Sequence, residues 1–116
     1  MNLRELIEDV NTLNLQGKGM EAFEKYYAED VAMQDNELPP TVGKATNRKR
    51  EQEFLANVTE FRGAQVKAVA VGDNVTMVEW FLDYTHKEWG KRTYHQVNVA
   101  RWKDGKVIHE RFYYGS

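Results

Sequence analysis

Hydrophobic positions along this chain change their period once, near residue 64. Before it, Leu3, Leu6, Ile7, Val10 and Leu13 recur three and four residues apart, which places them on one face of a helix. Asn2 precedes that helix as its cap, and Gly17 and Gly19 stop it. A short second helix is expected next, burying Met20, Phe23 and Tyr27 along one side. Residues 31–35 alternate over too short a span for a helix and are predicted as a strand. Pro39, Pro40 and Gly43 mark a loop, because a proline brings no N–H to a helix or a sheet. Residues 45–57 are rich in helix formers, with Phe54, Leu55 and Val58 as the expected buried end.

Beyond the change the period is two. Residues 65–71, 75–87, 92–103 and 106–114 read as strands rich in Val, Tyr, Trp and Phe. Turns divide them at 72–74, 88–91 and 103–106. Asp104-Gly105 is a strong hairpin signal, since glycine tolerates the positive φ that a two-residue turn demands. Long strands joined by hairpins predict an antiparallel sheet, and the three earlier helices must cover one of its faces. The expected class is α+β in one domain, residues 1–116.

Alternation then assigns side chains to faces. Tyr94, Gln96, Asn98, Ala100 and Trp102 share one side of their strand; His95, Val97, Val99 and Arg101 share the other. Val78, Trp80, Leu82 and Tyr84 oppose Met77, Glu79, Phe81 and Asp83. Glu110, Phe112 and Tyr114 oppose His109, Arg111 and Tyr113. The first-named sets mix bulky aromatics with a few amides and one acid, as small-molecule sites do, and are placed inward against the helices.

Composition narrows the classes. The chain of 116 residues is 41% hydrophobic and 29% charged, with a net charge of −2. Its basic residues are scattered, so the footprint of a nucleic-acid binder is missing. The one basic cluster, Lys44, Arg48, Lys49 and Arg50, alternates with Glu51 and Glu53 and reads as a solvated helix face. With no cysteine, disulfides and thiolate chemistry are excluded. The three histidines lack metal-site spacing, and no phosphate-cradling loop or nucleophile elbow occurs. No apolar stretch approaches a membrane span and no signal peptide is visible, so a cytoplasmic location is expected.

The order of helix end, strand, loop and helix around Tyr27-Ala-Glu-Asp-Val-Ala-Met-Gln-Asp35, with long strands behind it, resembles the SnoaL-like and ketosteroid-isomerase-like group of the nuclear transport factor 2-like superfamily. The resemblance covers nearly the whole chain and implies a curved antiparallel sheet forming a cone, with the three helices on its concave face. In the isomerases the carboxylate closing this first strand is the catalytic base, and Asp35 stands there. Their strand before the last hairpin carries an acid that matches Asn98 in Asn98-Val-Ala-Arg101-Trp102-Lys-Asp-Gly105-Lys106-Val107. That acid, kept protonated, donates a hydrogen bond to the enolate oxygen; the Asn98 amide donates without titrating. The tyrosine donor of the first helix corresponds to Asp9, a departure that speaks against steroid isomerisation.

The resemblance therefore implies Asp35 and Asn98 as catalytic residues, with Asp9, Trp80, Tyr94, Gln96, Glu110, Phe112 and Tyr114 around a small apolar or carbonyl-bearing molecule. Neither a metal nor an organic cofactor is expected. Each assignment has a structural counterpart. Asp35 suits a turn cap, Asn98 and Gln96 can satisfy each other, and the aromatics suit a core. Glu110 is either paired, with Arg50 for example, or a second acid. An isomerase or cyclase working by proton transfer and a non-catalytic binding or dimerisation module both fit. Outside the sheet, Met77, Phe81, Val97, Val99 and Tyr113 form an apolar patch, for which a homodimer is the expected cover.

Overall fold

A computed structural model describes residues 1–115. Two helices, α1 (Leu3–Leu15) and α2 (Gly19–Tyr26), precede the early strands β1 (Tyr27–Asp35) and β2 (Thr41–Val42), and a third, α3 (Lys44–Asn57), follows them. The long strands β3 (Val58–Gly72), β4 (Val75–His86), β5 (Gly90–Lys103) and β6 (Lys106–Tyr114) follow. They form one curved, unclosed sheet in the order β2-β1-β6-β5-β4-β3. Every neighbouring pair is antiparallel except β1 and β6, which run parallel. The sheet is thus mixed at that one seam, because the chain crosses the whole concave face before β3 begins.

Local signals explain most element ends. Asn2 caps α1 through a capping box, its side chain accepting from the Glu5 N–H while Glu5 accepts from the Asn2 N–H. Asp104 and Gly105 sit at φ 52° and 76°, the positive pair that a tight hairpin needs. Asn47 is 1% exposed, and its Nδ2 lies 3.2 Å from Val31 O, 3.0 Å from Thr41 O and 2.9 Å from Gly43 O. One amide thereby ties the start of α3 to β1 and β2.

Four expectations shift. Tyr27 opens β1 rather than closing the second helix, and β3 starts at Val58. Leu55 is half exposed, so Phe54 alone packs from the end of α3, against Tyr84, His86 and Trp89. The basic cluster is only partly a solvated face, with Lys49 and Arg50 exposed. Lys44 is buried and donates to Glu24 O, Arg48 pairs with Glu24, and Arg50 pairs with Asp35.

The core gathers Ile7 and Val10 of α1, Phe23 of α2, Val31 and Met33 of β1, and Val78, Trp80 and Trp102 of the sheet. The inward face runs as paired rows across the strands: Asp35, Phe112, Asn98 and Val78 form one, and Met33, Glu110, Ala100 and Thr76 the next. Among the described residues no helix is long and apolar enough to cross a membrane.

Candidate functional site

Two adjacent hollows lie between the helices and the sheet. The inner cavity, of about 250 Å³, is walled by α1, α2 and the middle of the sheet. The outer cleft, of about 950 Å³, opens between the end of α3 and the far ends of β4 and β5. Glu51, Phe54, Leu82, Gln96 and Phe112 line both and form the partition between them.

The inner cavity holds the more unusual chemistry. Glu110 is 6% exposed and accepts a hydrogen bond from the Tyr27 hydroxyl, itself buried. Burial pushes the Glu110 carboxyl up to about 7; the Tyr27 bond pulls it back, and the Glu51 charge adds to the rise. The Tyr27 phenol is also pushed well up, by burial first and by the Glu110 charge second. Glu51 is raised by burial, with Arg50 opposing and the Asp35 charge adding. Among the described residues Glu110 has no basic partner: Arg50, a candidate for that pairing, is 2.8 Å from Asp35 instead.

Asn98 lines the same cavity from the next strand. Its Oδ1 accepts from Gln96 Nε2 at 2.8 Å, and among the described residues its N–H2 group has no hydrogen-bond partner, which leaves it free to donate. Glu110 and Asn98 are diagonal neighbours on adjacent strands, since Asn98 pairs with Phe112 and Ala100 with Glu110. That relation sets their backbones roughly 7–8 Å apart on one face of the sheet, so the two side chains project side by side into the hollow. Trp80 and Phe112 supply apolar wall, and α1 contributes Asn11 and Asn14.

Asp35 belongs to the outer cleft, not to the hollow of Asn98. The two residues share a row with Phe112 between them, so their backbones are on the order of 10 Å apart at two strand spacings. The Asp35 carboxylate is engaged on both oxygens: Arg50 donates to Oδ2 at 2.8 Å and the Tyr114 hydroxyl to Oδ1 at 3.2 Å. Tyr94 and Tyr114 line this cleft, with the Tyr94 and Tyr84 hydroxyls bonded at 2.7 Å. Burial and the Tyr84 bond push the Tyr94 phenol far up.

Asp9 lines neither hollow. It sits on the outer side of α1, bonded to the Tyr26 hydroxyl and to Lys25 Nζ at 3.3 Å, contacts that hold its carboxyl below the usual range. The expected position beside a ligand fails because the helix turns this residue towards α2. The lining residues that escaped the sequence reading include Tyr27, Glu51, Asn11 and Arg92. Arg92 was legible, since it shares parity with Tyr94 and Gln96. Glu51 was legible too, because it falls on the helix face of Asn47 and Phe54.

Among the described residues no group of histidines and carboxylates is arranged to hold a metal ion. The arrangement offers one buried carboxyl that titrates near neutrality, one amide donor beside it on the next strand, and apolar walls.

The family model of the SnoaL-like domain matches residues 1–114. The chain belongs to that family. Its fold is that of the nuclear transport factor 2-like superfamily, and the recognisable solved structures agree. A Mesorhizobium loti protein named as a SnoaL-like polyketide cyclase, with carbohydrate phosphatase in brackets, is 32% identical, with a TM-score of 0.89 over 98% of this chain and 100% of that one. A Jannaschia protein named as a SnoaL-like polyketide cyclase is 13% identical, with a TM-score of 0.80 over 96% of this chain and 85% of that one. A nuclear transport factor 2-like protein of unknown function from Cytophaga hutchinsonii is 10% identical, with a TM-score of 0.73 over 99% and 91%. The last two likenesses speak for the fold alone. No curated protein matches.

Proposed function

We infer that this SnoaL-like protein binds a small, mostly apolar molecule bearing a carbonyl group and moves a proton on the carbon beside it. The observation that carries this reading is the pair of neighbouring groups, Glu110 and Asn98, that line the inner cavity from adjacent strands. In its ionised form Glu110 takes the proton from carbon: the C–H bond breaks, an O–H bond forms on the carboxyl, and the electron pair moves to the carbonyl oxygen. Asn98 N–H donates to that oxygen as its charge grows. The same carboxyl, now protonated, returns the proton to the product. A group that titrates near the working pH serves both halves. Tyr27 positions Glu110, and Phe112 and Trp80 hold the apolar body.

Asp35 has a different part in this scheme. With both oxygens engaged by Arg50 and Tyr114, it organises the outer cleft and joins α3 to β1 and β6. The engaged carboxylate also favours a second reading, in which the cavity binds without reacting. A homodimer through the outer sheet face accompanies either reading. It is supported by the cross-strand pairs Met77 with Val99 and Val97 with Tyr113, and by the exposure of Met77 and Tyr113.

Titration of isotope-labelled protein with small cyclic ketones tests the binding step. The side-chain amide signals of Asn98 and Gln96 are expected to move together with ketone concentration. Signals that stay fixed while the ketones bind elsewhere overturn this use of the inner cavity.

A further inference from the structure

We propose that Arg92 is the anchor for a carboxylate on the bound molecule, so that the site takes an elongated ligand with an apolar body and an anionic far end. The inference rests on the reading that the inner cavity and outer cleft hold one small molecule.

The observations concern what Arg92 does and does not touch. It lies on the inward face of β5, opposite Tyr84 and two residues before Tyr94, and lines the outer cleft. Its guanidinium stacks over the Tyr94 ring at 4.7 Å. Stacking occupies the flat face of the guanidinium and leaves its in-plane N–H donors free. Among the described residues it has no ion pair and no side-chain hydrogen bond, whereas Arg50 across the cleft is spent on Asp35 and Thr41. The other carboxylates on this cleft do not stand in for a partner. Asp35 is neutralised by Arg50, Glu51 faces the inner cavity as well, and Glu53 and Glu88 are exposed.

A half-buried guanidinium that is stacked but unpaired is a receptor for a planar two-oxygen anion, which it grips with two parallel N–H bonds. The aromatic surroundings exclude water from one side and strengthen that grip. Tyr94, Tyr114 and the exposed Trp89, which stacks on His86 at 3.7 Å, give the neighbouring stretch of ligand a flat apolar bed. Arg92 and Asn98 are six residues apart on one strand, a span on the order of 20 Å. A ligand whose reactive carbonyl meets Asn98 and whose carboxylate meets Arg92 therefore needs a body of roughly 15–20 Å, the length of several fused rings or a long chain. Shorter molecules reach only one of the two groups.

Pyrenebutyrate and pyrenebutanol make a matched pair of probes, alike in body and differing in the charged end. Fluorescence titration at low salt with native protein, Arg92→Gln and Arg92→Lys reads the contribution of the guanidinium. Native protein is expected to bind the acid about tenfold more tightly than the alcohol, the value of a charge-assisted pair. Arg92→Gln is expected to erase that preference, so that acid and alcohol bind alike, and Arg92→Lys to keep part of it. Equal native affinity for acid and alcohol, or a preference that survives Arg92→Gln, overturns the anchor and leaves the pocket reading standing. Binding of neither probe by native protein overturns the pocket reading and the anchor together.

Discussion

The Tyr27 hydroxyl donates to Glu110 Oε1 although the two residues lie 83 positions apart in the chain. The contact depends on the parallel seam between β1 and β6. Tyr27 pairs with Val107 and Ala32 with His109, so the residues between Tyr27 and Ala32 bulge out of the ladder. That bulge brings a phenol from the very start of β1 over a carboxyl in the middle of β6.

Tyr27→Phe keeps the ring and removes the donor. The buried carboxyl then lacks its only protein hydrogen bond among the described residues, and its protonated form gains. We expect the Glu110 midpoint to move above its native value of about 7, with a loss of ~1–3 kcal/mol in stability. Carboxyl titration by NMR and urea unfolding check the two parts; an unchanged or lowered midpoint refutes the contact.

Stability should fall as pH rises between about 4.5 and 7, the usual and the native positions of the Glu110 carboxyl. In that window the folded protein keeps a proton that the unfolded chain has released, so raising the pH favours unfolding. Below it both states are protonated, and above it the penalty is complete. The span of roughly 2.5 units corresponds to at most ~3 kcal/mol, with Glu51 adding in the same direction. Urea unfolding of native protein and Glu110→Gln across this range tests the point. The variant should gain relative to native protein towards pH 8, and parallel profiles would refute it.

Asn47→Ala removes the amide that holds three backbone carbonyls at the start of α3. We expect a loss of ~1–3 kcal/mol, since three side-chain hydrogen bonds and the packing of a buried amide are lost while Val31 O and Gly43 O keep their backbone donors, Gly43 N–H and Asn47 N–H. Because Arg50, Glu51 and Phe54 ride on the same helix, ketone affinity should weaken as well. A loss below ~0.5 kcal/mol in urea unfolding would contradict the role given to this side chain.

Val97→Asp puts a charge at the middle of the outer apolar patch, between Glu79 on β4 and Tyr113 on β6. If that face joins two copies, the charge is buried without a partner and the pair separates. Sedimentation is expected to show a native dimer at micromolar concentration and a monomeric variant. A native monomer would refute the dimer.

Alternation made the sheet legible: Trp80, Gln96, Asn98, Glu110 and Phe112 face the hollow because strand parity leaves no choice. What parity cannot convey is which strands become neighbours. The pairing of Tyr27 with Glu110 is set by the parallel seam, and neither residue hints at the other in sequence. Asp35 was placed correctly at the end of its strand, yet its use depended on Arg50, whose side chain reaches it from α3. The pairing of Arg50 with Asp35 rather than Glu110 could not be read from spacing. Asp9 marks the limit of helical periodicity. It stands at the border of the apolar stripe, and the docking of α2 decides which way it turns.

Deuterium incorporation tests the central claim most directly. Ketones shown to move the Asn98 amide signal are incubated in deuterated buffer with native protein, Glu110→Gln and Asp35→Asn, and the label is read by mass spectrometry. Native protein and Asp35→Asn are expected to label the carbon beside the carbonyl, and Glu110→Gln to label it no faster than buffer. Equal labelling by native protein and Glu110→Gln, or bound ketones that native protein does not label, would contradict a proton carried by Glu110.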